Sequence, residues 1–187
     1  MQKKLIPIEW VCATLAALTI PLFVYAKLPI WATYVTWGGT FLVAPNMEGV
    51  RKMFPTLIVG TVSGVIFFAL AFTIDPIVGS AVLANSTIVF VMALALLYLA
   101  RIPALALVPG IFFGFACYVG VALAAQANSI PALFAPWVYA TIALLLGPIL
   151  AWLSVALTFP REEQVSADSA APKPAQSELS GDLAAGN

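Results

Sequence analysis

Apolar positions run almost unbroken through most of the chain, in long stretches separated by short polar clusters. Six stretches stand out: Ile8 to Ala26, Pro29 to Ala44, Thr56 to Ile74, Ile77 to Ala100, Pro103 to Ala125 and Pro131 to Phe159. None alternates apolar and polar residues with a period of two, as a barrel strand would. Backbone groups in lipid are satisfied only within helices or closed barrels, and a crossing helix needs about 20 mainly apolar residues. The pattern therefore predicts an all-α integral membrane protein with about six transmembrane helices. The second stretch is short. The sixth is long and carries Pro136 and Pro148, which predict a bend or an interfacial start. The connections hold the polar residues: Lys27, Asn46 to Pro55, Asp75-Pro76, Arg101, and Gln126 to Asn128.

From Arg161 the pattern breaks. Residues 161–187 are rich in Ala, Ser, Glu, Asp and Pro and cannot bury enough apolar surface to order themselves. The expected organisation is a polytopic transmembrane domain over 1–160 and a disordered cytoplasmic tail over 161–187.

Composition sharpens this. Of 187 residues, 63% are hydrophobic and 9% are charged, and the mean hydropathy is +1.04. Soluble domains carry roughly 25% charged residues and bury only about two-thirds of their surface, so a water-soluble enzyme is excluded. The net charge is zero, which offers nothing to nucleic acid. There is no His, and Cys12 and Cys117 lie inside apolar runs, so no metal site or disulfide framework is expected. No nucleophile triad, zinc motif or phosphate loop is present; neither an enzymatic activity nor a cofactor is expected. The partners expected are the lipid bilayer and either further copies of the chain, as a homo-oligomer, or a partner membrane protein.

Basic residues give an orientation. In a six-helix arrangement Lys3, Lys4, Arg51, Lys52, Arg101 and Arg161 fall on one side, with Lys173 in the tail, and only Lys27 falls on the other. The positive-inside rule then puts both termini in the cytoplasm. Lys3-Lys4 followed by an apolar run and Val24-Tyr25-Ala26 has some signal-peptide character. Glu9, Trp10 and Pro21 within that run argue against cleavage.

Two stretches share a spacing. Pro55-Thr56 is followed by Gly60 and Ser63, and Pro109-Gly110 by Gly114 and Cys117. At 100° per residue each set lies on one narrow face. Each stretch also holds a GxxxG, Gly60 to Gly64 and Gly110 to Gly114. Small faces let backbones approach closely in lipid, so Gly60, Ser63, Gly64, Gly110 and Gly114 are predicted packing positions. Both stretches follow a basic loop, consistent with a two-helix hairpin duplicated in parallel.

The second stretch carries a polar stripe. Thr33, Thr36, Trp37 and Thr40 fall within an arc of about 100° on a helical wheel. Two readings stand side by side. The stripe lines a narrow polar path, with Asn85 as a facing group; or each threonine bonds a carbonyl of its own helix. Gly38-Gly39 weakens this helix and is compatible with a break or re-entrant turn. No Asp, Glu, Lys or Arg lies at a helix centre, which argues against an ion-coupled pump and for passive conduction or no transport.

The stretch WATYVTWGGTFL, the loop with Gly49, Lys52 and Pro55, and TLIVGTVSGVIFF resemble the bacterial inner-membrane family catalogued as domain of unknown function 1097. Arg101-Ile102-Pro103 to Pro109-Gly110 and Gly114, and the last helix around Gly147, are similar to the rest of it. The resemblance covers residues 8 to 158 and implies a small polytopic inner-membrane protein. It carries no activity and no functional residues. Two functions are compatible with the residues: a channel or facilitator for a small uncharged solute, and a non-transporting subunit that packs against a partner.

Overall fold

The structure, a computed structural model, describes residues 7–158. Lys3, Lys4, Arg161, Lys173 and the 161–187 tail lie outside the described residues. Six α-helices follow in order: α1 Ile8–Ala26, α2 Ile30–Val43, α3 Met47–Val78, α4 Ala81–Leu99, α5 Val108–Ala124 and α6 Phe134–Ala156. Single 3-10 turns over Pro103–Leu105 and Pro131–Leu133 lead into α5 and α6. No strand occurs among the described residues.

Four of these segments are long and apolar enough to cross a bilayer: α1, α3, α4, and α6 with its preceding turn. The other two are shorter, α5 with 17 residues and α2 with 14. At 1.5 Å per residue α2 reaches only about 21 Å, less than a hydrocarbon core of about 30 Å. It is continuous through Gly38 and Gly39, so the glycines do not break it.

Several helix boundaries differ from the sequence expectation: α4 starts at Ala81 rather than Ile77, α5 at Val108 rather than Pro103, and both ends of α3 shift for local reasons. The segment expected as a loop before Thr56 is helical. Asn46 caps α3 by accepting the Gly49 N–H at 2.9 Å, and the helix starts at Met47 and runs through Pro55. At the other end α3 does not stop at Asp75-Pro76. It continues to Val78 and ends at Gly79, whose φ of 70° is the left-handed conformation a helix terminus commonly takes at glycine.

Contacts give the helix directions. Gly110 meets Thr56, Gly114 meets Gly60, and Tyr118 meets Gly64. Numbering rises together along both helices, so α3 and α5 are parallel. Thr33 meets Ala143, and both Thr36 and Trp37 meet Gly147, so α2 and α6 also run parallel. Gly39 meets Phe113 while Gly120 meets Trp31, so α2 and α5 are antiparallel. These directions fit a chain that reverses at every connection. The start of α1 and the end of α6 then share a face, and Pro7, Trp10 and Leu157 do line one groove together.

The core sits among α2, α3, α5 and α6. Met53, Leu57, Ala143 and Leu144 form one buried cluster with Phe23 of α1. Phe68, Tyr118, Leu133 and Ala140 form a second toward the other end. By contrast α1 and α4 lie at the periphery, each only 17% buried over its most apolar window.

Candidate functional site

The polar stripe of α2 and the bend-prone centre of α6 form one structural unit. Thr33, Thr36 and Thr40 have no exposed surface, and Trp37 is 7% exposed. The Thr36 hydroxyl donates most closely to the Leu144 carbonyl, at 2.8 Å, with the Thr33 and Ala32 carbonyls of its own helix farther off at 3.2 and 3.3 Å. In a helix that carbonyl would accept from the N–H four residues on, which is Pro148. Proline has no N–H to give. Thr36 thus supplies the hydrogen bond that Pro148 withholds. One turn away, the Thr33 hydroxyl donates to the Ala143 carbonyl at 2.6 Å. Thr40 donates instead to the Thr36 carbonyl of its own helix at 2.7 Å.

Gly147 makes the approach possible. A Cβ there would overlap the Thr36 hydroxyl and lie 2.6 Å from the Thr33 carbonyl oxygen and the Trp37 backbone nitrogen. Only a hydrogen at that position lets α2 come close enough for both cross-helix bonds. A path along this stripe would require α2 and α6 to part.

The other singled-out residues lie elsewhere. Asn85 sits on α4, half-buried, with its Oδ1 enclosed and unpartnered. α4 packs against α3, and Asn85 is not brought to the stripe. The Nε1 of Trp37 is likewise buried with no partner, as are Trp137 Nε1 and Asp75 Oδ1.

The small residues of α3 and α5 meet one another. A Cβ on Gly60 would overlap the Ile111 carbonyl and lie 2.8 Å from the Gly114 Cα. A Cβ on Gly114 would overlap the Leu57 carbonyl and lie 2.9 Å from the Gly60 Cα. The contact is reciprocal, as expected when two like helices pair about a twofold axis. Gly110 accommodates the Thr56 side chain and Gly64 the Tyr118 ring. Ser63 is buried and donates to the Gly60 carbonyl at 2.7 Å.

The cross-helix role of Thr33 and Thr36 was not read from the sequence. A signal for it exists: Gly147-Pro148 marks a helix segment with a spare carbonyl and no side chain to keep a donor away. No group of three or more metal-ligating side chains occurs among the described residues.

Apolar helices that reverse direction at each turn, with small residues where they touch, define a multi-pass helical membrane protein. Residues 11–158 match the family described as Protein of unknown function (DUF1097), and the chain belongs to that family. No curated protein and no solved structure matches it.

Proposed function

We propose that this protein is a non-transporting, non-catalytic membrane subunit that works by packing against a partner in the bacterial inner membrane, with both termini in the cytoplasm. The observation that carries the reading is the use made of the polar stripe. Thr33 and Thr36 are sealed at zero exposure, and the shortest hydrogen bond of each hydroxyl goes to an α6 carbonyl. Polar groups that line a path must instead be free to replace a solute's hydration. The lightly covered helices α1 and α4 supply broad apolar faces toward the membrane, open to a partner. The excess of basic residues on one side supports the orientation.

The test is reconstitution of the full chain in liposomes. Entry of glycerol or urea should equal that of protein-free vesicles, while the purified complex should exceed the mass of one 19.7 kDa chain. Protein-dependent, saturable flux would overturn the reading.

A facilitator for a small uncharged solute is the second reading. The unpartnered, buried indole N–H of Trp37 beside the stripe favours it, because an enclosed donor with nothing to bond is one a passing solute could use.

A further inference from the structure

One pocket has a composition unlike its apolar surroundings. It is about 270 Å³ and is lined by Val43, Lys52, Pro103, Ala104, Ala106 and Leu107. Val43 is the last residue of α2, Lys52 lies in the second turn of α3, and the rest form the 3-10 turn and linker before α5. The pocket therefore sits at one end of the bundle, between the end of α2 and the starts of α3 and α5. Most of its walls are apolar, and its one charged lining residue is Lys52.

The charged residues near its lining in sequence are mostly basic. Arg51 adjoins Lys52 in sequence, and Arg101 stands two residues before Pro103. The Arg101 guanidinium rests over the Tyr98 ring, 4.6 Å from its centre. Glu48 is the local anion, and it pairs with Lys52 one helical turn away. Both side chains of that pair remain more than half exposed, so solvent screens it and holding Glu48 does not exhaust Lys52. An ammonium has three donors, so two stay available beside the carboxylate.

We propose that this pocket binds an anionic phospholipid from the surrounding bilayer. The phosphate oxygens accept from Lys52, and the glycerol and first acyl carbons cover Val43, Pro103 and Leu107. Arg51 and Arg101 add an attractive field without entering the pocket. A soluble anion would gain from Lys52 but nothing from the apolar walls, whereas a phospholipid uses both. A zwitterionic headgroup brings its own cation toward three basic residues, so binding discriminates by net headgroup charge. The site does not depend on the partner-packing reading, which stands or falls on the flux and mass measurements.

Native mass spectrometry of the detergent-solubilised full chain tests it, titrating phosphatidylglycerol and phosphatidylcholine of matched acyl chains. Phosphatidylglycerol should bind the wild-type chain more tightly. Lys52→Gln should weaken it about fivefold, the scale of one basic residue near an anionic lipid. Glu48→Gln should strengthen it, because the competing carboxylate is gone. Lys52 is surface-exposed, and an unchanged melting temperature of lipid-free Lys52→Gln separates lost binding from lost folding. Three results would each overturn the proposal: equal affinity for the two lipids, unchanged phosphatidylglycerol binding in Lys52→Gln, or displacement of the lipid by millimolar inorganic phosphate. The last would make the pocket a site for free phosphate.

Discussion

Thr36 and Pro148 are best understood as a pair. Proline in the interior of a helix costs stability because a carbonyl one turn back loses its donor. In lipid no water replaces it. Here the replacement comes from the neighbouring helix, with Thr36 on the Leu144 carbonyl and Gly147 leaving room for it. Thr36→Val keeps the side-chain shape and removes the donor. It should cost about 1 kcal/mol in detergent or bilayer unfolding, within the measured range for interhelical hydrogen bonds. In a Pro148→Ala background, where residue 148 can donate to Leu144 itself, the same substitution should cost measurably less. A double-mutant cycle reads that coupling, and equal costs in both backgrounds would mean that Thr36 does not serve the proline's carbonyl. Gly147→Ala should be worse than either, since its methyl meets the Thr36 hydroxyl and the α2 backbone together. The stripe itself was legible from spacing alone, because the helical period gathers four polar residues on one arc. Its partner was not, because nothing local in α2 says which helix it will face.

At the scale of elements, the parallel contact of α3 and α5 is a close backbone approach with no room for a side chain at Gly60 or Gly114. Its two sides are interchangeable: Gly60 lies against the Ile111 carbonyl as Gly114 lies against the Leu57 carbonyl. Association in lipid rests on packing and polar contacts, since lipid is as apolar as leucine, and a side chain wedged between two backbones removes both contributions. Gly60→Leu and Gly114→Leu should each abolish most of the folded yield measured by size-exclusion chromatography after mild solubilisation. Val62→Leu, at a position 40% exposed, should be mild. Similar yields from all three would contradict the contact. The equal spacing of small residues in the two helices was visible in the sequence, and so was their common direction. The helix ends were less visible. Asp75-Pro76 looks like a turn, yet the chain keeps its helix for another two residues until Gly79 can take the left-handed conformation that ends it. Pro55 looks like the start of a helix that had already begun under the Asn46 cap.

For the whole molecule, six helices of alternating direction bring the first and last described residues to one face, where Trp10 and Leu157 line the same groove. Cysteines placed at 7 and 157, in a chain lacking Cys12 and Cys117, should be labelled from the same side of sealed, oriented vesicles. Labelling from opposite sides would mean that one helix fails to cross, and the 14-residue α2 is the first to suspect. The apolar composition was enough to indicate this architecture from sequence, because lipid forbids almost every alternative. It could not indicate which polar groups are sealed and which are free, since that depends on which helix faces which.

The sealed stripe is the claim on which the functional reading rests, and accessibility tests it most directly. Single cysteines at 33, 36 and 40, in the same cysteine-free background, would be challenged in the bilayer with a water-soluble thiol reagent. Val35 and Leu42, which point away from the bundle with 39% and 87% exposure, provide the lipid-facing comparison. The structure predicts that all five positions stay protected, three by burial within the bundle and two by lipid. Rapid labelling at 33, 36 and 40 with protection at 35 and 42 would put water along the stripe and contradict the account.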